Sequence, residues 1–340
     1  MTLKDISAAA GTSVSTVSRV LNQTSPTCAS KELQEKIWAI AVAGGYLPDE
    51  NARSLKKGGR KKNEAQKALQ VSIVLARISS LEEEPFFAEL FRCLESELLQ
   101  AHVTLKEVIF AEDSVTSDLK HCDGVIIVGR CTRMLLDRIQ KQNKNIVGIW
   151  RNAQDFSVDE VICDGKKAAE TAMEHLLSLG HKKIAYIGSC SNEQRYVGYC
   201  DTMFSHHIPI DYSLIRPTDH TGAKAQAAFY DLMALKERGD SDFTAIFCAN
   251  DVTAIRVLSL LEENRRFFRK HPISVVSIDD IEEAQNTRPY LTTVRMPKEE
   301  MAHMGVLLLL DRIRGGHKEF IRNEFPCRLA RRSSTFEVQA

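Results

Sequence analysis

The sequence predicts a small all-α helix-turn-helix domain joined to an α/β body of two doubly wound parallel-sheet subdomains. Three observations carry that prediction. At 340 residues the chain is too long for one ordinary core. Its first sixty residues hold three helical patterns with short breaks between them, and beyond Lys67 apolar runs alternate with amphipathic, helix-length segments.

Thr2 can cap a first helix, with Asp5 three residues on at capping-box spacing and Leu3, Ile6, Ala9 and Ala10 on its inner face. Gly11 ends it. Ser13 can cap a second helix, in which Val17, Val20 and Leu21 cluster on one side while Ser15 and Arg19 centre the other, flanked by Thr16 and Ser18. A third helix from Lys31 to Ala43 buries Leu33, Ile37 and Ile40 and stops before Gly44-Gly45. A helix, a tight turn and a second helix with a hydroxyl-and-arginine outer face make the pattern of a major-groove reader. Charge agrees: residues 1–62 hold ten Lys/Arg against five Asp/Glu, so a chain of zero net charge carries +5 on its head and −5 on its body.

In the body, Val71–Leu75, Gly124–Val128, Ile146–Ile149, Ile184–Ile187, Ala245–Cys248 and Ile273–Ile278 read as buried parallel strands. Phe86 to Ala101 and Gly165 to Leu179 read as helices between them. The string from Lys57 to Lys67 is Gly- and Lys-rich, as a solvated connector is. No run of 18 apolar residues occurs, and Met1 is followed by Thr2, Lys4 and Asp5 rather than by a secretory leader, so a cytoplasmic protein with no membrane partner is expected. The nine cysteines are scattered without a CxxC pair, which reads as reduced thiols and no metal site. With no GxSxG, HExxH or P-loop string, no catalytic residue and no cofactor are expected.

Thr2-Leu3-Lys4-Asp5-Ile6, Ala10-Gly11 and Thr16-Val17-Ser18-Arg19-Val20-Leu21-Asn22, followed by Gly45-Tyr46-Leu47-Pro48 and Asn51-Ala52-Arg53-Ser54-Leu55-Lys56, resemble the headpiece and hinge of the LacI/GalR family of bacterial repressors. The body resembles the same family in Leu179-Gly180-His181-Lys182-Lys183-Ile184, Arg195-Tyr196-Val197-Gly198-Tyr199, Ala249-Asn250-Asp251, Asp279-Asp280 and Pro289-Tyr290-Leu291-Thr292-Thr293-Val294. The resemblance implies a headpiece at 1–49, a hinge and linker at 50–67, and a periplasmic-binding-protein-like effector and dimerisation domain at 68–340. Its N-subdomain would span about 68–162 and 292–321 and its C-subdomain about 163–291 and 322–340, with crossings near Cys163, Leu291 and Arg322.

The resemblance further implies that a homodimer grips a pseudo-palindromic DNA operator. Val14, Ser15 and Arg19 would read bases, while Ser13, Thr16, Ser18, Asn22 and Ser30 would contact phosphates or serve as caps. Leu55 would wedge into the minor groove with Asn51 and Lys56 beside it, unless the segment is a plain linker. A small sugar would bind between the subdomains at Arg195, Asn250 and Asp279, although Asp279 and Asp280 could instead cap a helix. The loop from Gln23 to Ser30 is slightly longer than in the lac repressor and more similar to that of family members governing galactose and β-galactoside genes, which favours a galactoside. Where the family commonly has an apolar run ending in Asp, this chain reads Ile149-Trp150-Arg151-Asn152. Trp150 could then be a stacking platform for a sugar, or an ordinary core or surface residue. His181 is expected as a helix C-cap rather than a catalytic base, Ser277 stands where the family usually has Gly, and the chain ends at Ala340 without a leucine-heptad tail, so no tetramer is expected.

Overall fold

The computed structural model describes residues 2–21, 29–43, 68–112, 117–154, 157–219, 222–268 and 271–338. The chain divides into two units, Met1–Lys67 and Ala68–Ala340. In the first, the capping box forms as the spacing predicts: Asp5 N donates to Thr2 Oγ1 and Thr2 N donates to Asp5 Oδ2. Helices α1 (Leu3–Ala10), α2 (Val14–Leu21) and α3 (Lys31–Ala43) close over Ile6, Ala10, Val17, Val20, Leu21, Ile37 and Ala41. Gly11 turns the chain between α1 and α2 at φ 71°, a left-handed conformation that costs glycine least.

The second unit holds two six-stranded sheets. The first is built from β1 (Gln70–Ala76), β2 (Thr104–Ala111), β3 (Gly124–Gly129), β4 (Ile146–Trp150), β5 (Asp159–Ile162) and β11 (Arg322–Glu324), in the order β11-β5-β4-β3-β1-β2. The second contains β6 (Ile184–Gly188), β7 (Ile215–Pro217), β8 (Ala245–Cys248), β9 (Ser274–Asp279), β10 (Thr292–Arg295) and β12 (Arg328–Ala330), in the order β12-β10-β9-β8-β6-β7. All pairings are parallel except β10 with β12. The six predicted strands all form, with central runs buried end to end because parallel sheets are covered on both faces. The helices between strands are α4 (Pro85–Gln100), α5 (Arg133–Gln140), α6 (Gly165–Ser178), α7 (Gln194–Ser205), α8 (Gly222–Glu237), α9 (Asp251–Glu263), α10 (Arg265–Phe268) and α11 (Lys298–Ile313).

Two expected crossings are displaced. β10 pairs with β9, so Thr292 to Arg295 belong to the second sheet and the chain crosses after Arg295, not at Leu291. β11 pairs with β5 in the first sheet, so the third crossing lies between Glu324 and Arg328, not at Arg322. Strands of three or four residues carry too few side chains for their sheet to show in periodicity.

Candidate functional site: a DNA-reading face and an arginine-lined cleft

On the head, α2 buries Val17, Val20 and Leu21 and so turns Val14, Ser15 and Arg19 to solvent, Val14 being 40% exposed. Ser13 Oγ accepts the Thr16 N–H at 3.0 Å and contacts the Thr16 hydroxyl at 2.9 Å, and Ser30 Oγ accepts Leu33 N–H at 3.3 Å. Both serines therefore cap helices; Ser13 and Ser30 are exposed, and Thr16 and Ser18 are half-buried on α2. Asn22, Asn51, Leu55 and Lys56 lie outside the described residues.

In the body, a cavity of about 480 Å³ opens where the carboxyl ends of strands from both sheets converge. Arg195, at the start of α7, is 5% exposed; its Nε and Nη2 donate to the two Glu193 oxygens at 2.8 Å each and its Nη1 to Ala249 O at 2.7 Å. Burial pushes the Glu193 carboxyl up, but the Arg195 charge and hydrogen bonds outweigh it and bring it down to about 2. Asn250 caps α9, its Oδ1 accepting Thr253 N–H at 3.1 Å, and lines the same cavity.

Asp279, at the end of β9, is buried, and its Oδ1 lies 2.9 Å from Arg151 Nη2, which comes from the end of β4 in the other sheet. The Arg151 guanidinium sits 4.4 Å over the Phe86 ring. Lys298 Nζ adds a second tie, donating to Asp279 O and Asp280 O and pairing with Glu89 at 3.0 Å. Desolvation raises the Asp279 carboxyl against the opposing pull of Arg151, Arg195 and Lys298. Arg77, Asn192, Asp279 and Asp280 all hold positive φ here, at 57°, 51°, 128° and 51°. Strained backbone of this kind concentrates where a site must hold a fixed shape.

Three sequence expectations need correction or refinement. Asp279 and Asp280 are not helix caps: Asp279 pairs with Arg151, and Asp280 Oδ1 accepts from Arg332 Nη2 at 2.6 Å. Trp150 borders the cavity, but its indole is 3% exposed, lies against Gly148 and donates Nε1–H to Glu160 at 3.1 Å, so it has no open face for a sugar. His181 is fully buried; its backbone N–H closes the end of α6 on Leu176 O, while its ring donates to Phe336 O and accepts from Thr244. Sequence reasoning missed Arg77, Arg130, Arg151 and Glu193 as cavity residues. A further cavity of about 540 Å³ lies beside Glu89 and Glu299, where the Lys298–Glu89 and Arg295–Glu299 pairs and Asp280 line it. Among the described residues no His, Cys, Asp and Glu group could hold a metal, and no helix is long and apolar enough to cross a membrane.

Known proteins with both halves of this arrangement were found. Residues 2–49 match the lacI family of bacterial regulatory proteins, and residues 173–335 match the periplasmic binding protein-like domain. A relative in Bacillus subtilis strain 168, "Probable HTH-type transcriptional repressor ExuR", is 29% identical over 327 residues, covering 92% of each chain. The structure of a LacI family regulator from Enterococcus faecium with bound ribose aligns at TM-score 0.68 and 25% identity, over 79% of this chain and 100% of that one. The lac repressor dimer bound to operator and an anti-inducer shares the fold at TM-score 0.63 and 22% identity, over 99% of each chain. With a sealed helix-turn-helix head, two parallel sheets and a cleft at their strand ends, the chain belongs to the LacI family of bacterial transcriptional regulators.

Proposed function

We propose that the chain is a cytoplasmic, dimeric repressor of carbohydrate-utilisation genes whose grip on a pseudo-palindromic operator changes when a small sugar fills the cleft. The observation that carries this reading is the pairing of an outward Val14/Ser15/Arg19 face on α2 with a sugar-sized cavity that both sheets wall. Arg19 would donate to a guanine edge and Val14 would touch a thymine methyl, with Ser15 between them. Ser13, Thr16, Ser18, Asn22 and Ser30 would fix register on phosphates. Paired hinges would insert Leu55 at the operator centre, with Asn51 and Lys56 along the groove.

In the effector body, Arg195, Asn250 and Asp279 would hold sugar hydroxyls. A ligand that takes over Asp279 competes with Arg151, so binding would trade an internal tie between the subdomains for one through the ligand. Coupling of about 1–3 kcal/mol would change operator affinity about 5- to 150-fold. The resemblance of residues 23–30 to regulators of galactose and β-galactoside genes would favour a galacto-configured sugar.

Arg19→Ala tests the DNA half. It should weaken binding to the cognate operator by about 1–3 kcal/mol per half-site while leaving random-sequence DNA nearly unaffected, measured by competition gel shift at fixed salt. An equal loss on both DNAs would make Arg19 a phosphate contact and remove it from base reading.

A further inference from the structure

Three neighbouring strands of the first sheet each end one residue before an arginine: Ala76-Arg77 after β1, Gly129-Arg130 after β3 and Trp150-Arg151 after β4. The register brings these ends side by side, with Ala76 opposite Gly129, Val128 opposite Ile149, and Arg130 N–H donating to Ala76 O at 3.2 Å. All three line the cleft, and Arg195 enters it from the other sheet. Like charges in such a row repel, by about 1 kcal/mol for a pair 4 Å apart in water and by more between protein walls.

The acids present do not neutralise the row. Glu193 is engaged by Arg195 through both oxygens, and Asp279 faces Arg151 as an ion pair at 2.9 Å, its buried Oδ1 making no hydrogen bond. Glu84, the other acid lining the cavity, forms no ion pair with the arginines of the row among the described residues. Among the described residues the Arg77 and Arg130 side chains have no acidic partner, and the Arg151 Nε is buried with no hydrogen-bond acceptor. A buried donor without an acceptor costs about 1–3 kcal/mol, so a group that supplies the acceptor gains that much on binding.

We propose that the effector is an anionic sugar, a polyol bearing an oxyanion, with the oxyanion received by Arg77, Arg130 and Arg151 and the hydroxyls by Arg195 and Asn250. This rests on the cleft being the effector seat, and it narrows the ligand from any small sugar to a sugar acid or sugar phosphate. Guanidinium groups suit both oxyanions because they present paired N–H donors.

The test is isothermal titration of the full chain, at one ionic strength, with two matched pairs: D-galacturonate against D-galactose, and D-glucose 6-phosphate against D-glucose. At least one acid should bind more than 30-fold tighter than its neutral parent. Arg130→Gln, with its melting curve checked against the parent chain, should cost that acid about 10- to 100-fold and cost the neutral sugar little. Preference for galacturonate assigns a carboxylate, and preference for the phosphate ester assigns a phosphate. Neutral sugars binding as tightly as their acids, or an Arg130→Gln loss equal for both, would overturn the charge inference and leave the cleft standing as the sugar seat. No binding by either pair would overturn the cleft reading together with it.

Discussion

Replacing Arg195 with Ala is expected to produce two losses at once: the effector response disappears, and the effector body loses about 3–5 kcal/mol of stability. The second loss follows from burial. Arg195 is 5% exposed and is the cation that engages both oxygens of the Glu193 carboxylate, which is itself largely shielded from water. Truncation leaves that carboxylate without its hydrogen-bonded cation and Ala249 O without its donor. The double substitution Glu193→Gln with Arg195→Met removes both charges and should recover most of the stability while the response stays lost, which separates anchoring from ligand contact.

The pH dependence supplies an independent sign. Glu193 titrates near 2 in the folded chain, below its ordinary value of 4.5, so its contribution is present above pH 4.5 and is lost as pH falls through 2. Arg195→Ala should flatten that part of the acid limb in urea titrations. A variant as stable as the parent would contradict the buried pair, and a normal sugar response would displace the effector from this cleft.

Asp251→Ala should cost about 3–6 kcal/mol, the largest effect of a change made outside the cavity lining. Asp251 is fully buried at the first turn of α9, where its Oδ1 accepts the Ser277 and Thr293 hydroxyls at 2.5 and 2.6 Å and its Oδ2 accepts Ile281 N–H at 2.9 Å. One carboxyl thus ties α9 to β9, to β10 and to the turn after Asp279. Removing it orphans three donors, each at about 1–3 kcal/mol, partly offset by relaxation around the small residue. Ser277, standing where the family usually has Gly, earns its place as one of those donors.

Burial, and then the nearby Asp279 charge, push the Asp251 carboxyl up to about 7 in spite of these bonds. A folded pKa above the ordinary 3.8 means that its stabilisation is fully present below pH 3.8 and is lost as pH rises through 7. The parent should therefore lose stability relative to Asp251→Ala across that interval, as read from denaturant midpoints at pH 4 and pH 8. A gap that widens with pH would contradict the buried, uncharged carboxyl.

The head was readable because each of its features is local: a cap at Thr2, a glycine turn, and a 3.6-residue stripe that leaves Ser15 and Arg19 outside. The long apolar strands were readable for the same reason. β2 was not, because its Lys106 and Glu107 belong to an edge strand that is only partly covered. Nor was β5, since Asp159 and Glu160 look like surface residues until Arg312, His317, Arg322 and Trp150 are brought to them through space.

The cleft shows the same division. Arg195, Asn250 and Asp279 were marked by family motifs, whereas the arginine row depends on β1, β3 and β4 being neighbours, which is a property of the topology. Asp279 was expected to face a sugar, and only the folded chain puts the Arg151 guanidinium against it. Trp150 failed as a platform because the absence of a side chain at Gly148 lets the indole lie flat against the strand and fill the core.

The most direct test of a ligand-controlled DNA reader is a fluorescence-anisotropy titration of the full chain on DNA from upstream of its own gene, at fixed salt. It is repeated with saturating galactose, lactose, galacturonate and glucose 6-phosphate. The account predicts tight, sequence-specific binding whose affinity shifts about 5- to 150-fold with the sugar that fills the cleft, release marking an inducer and tightening a co-repressor. Binding no tighter than to random DNA, or an operator affinity unmoved by a sugar that calorimetry shows to be bound, would contradict it.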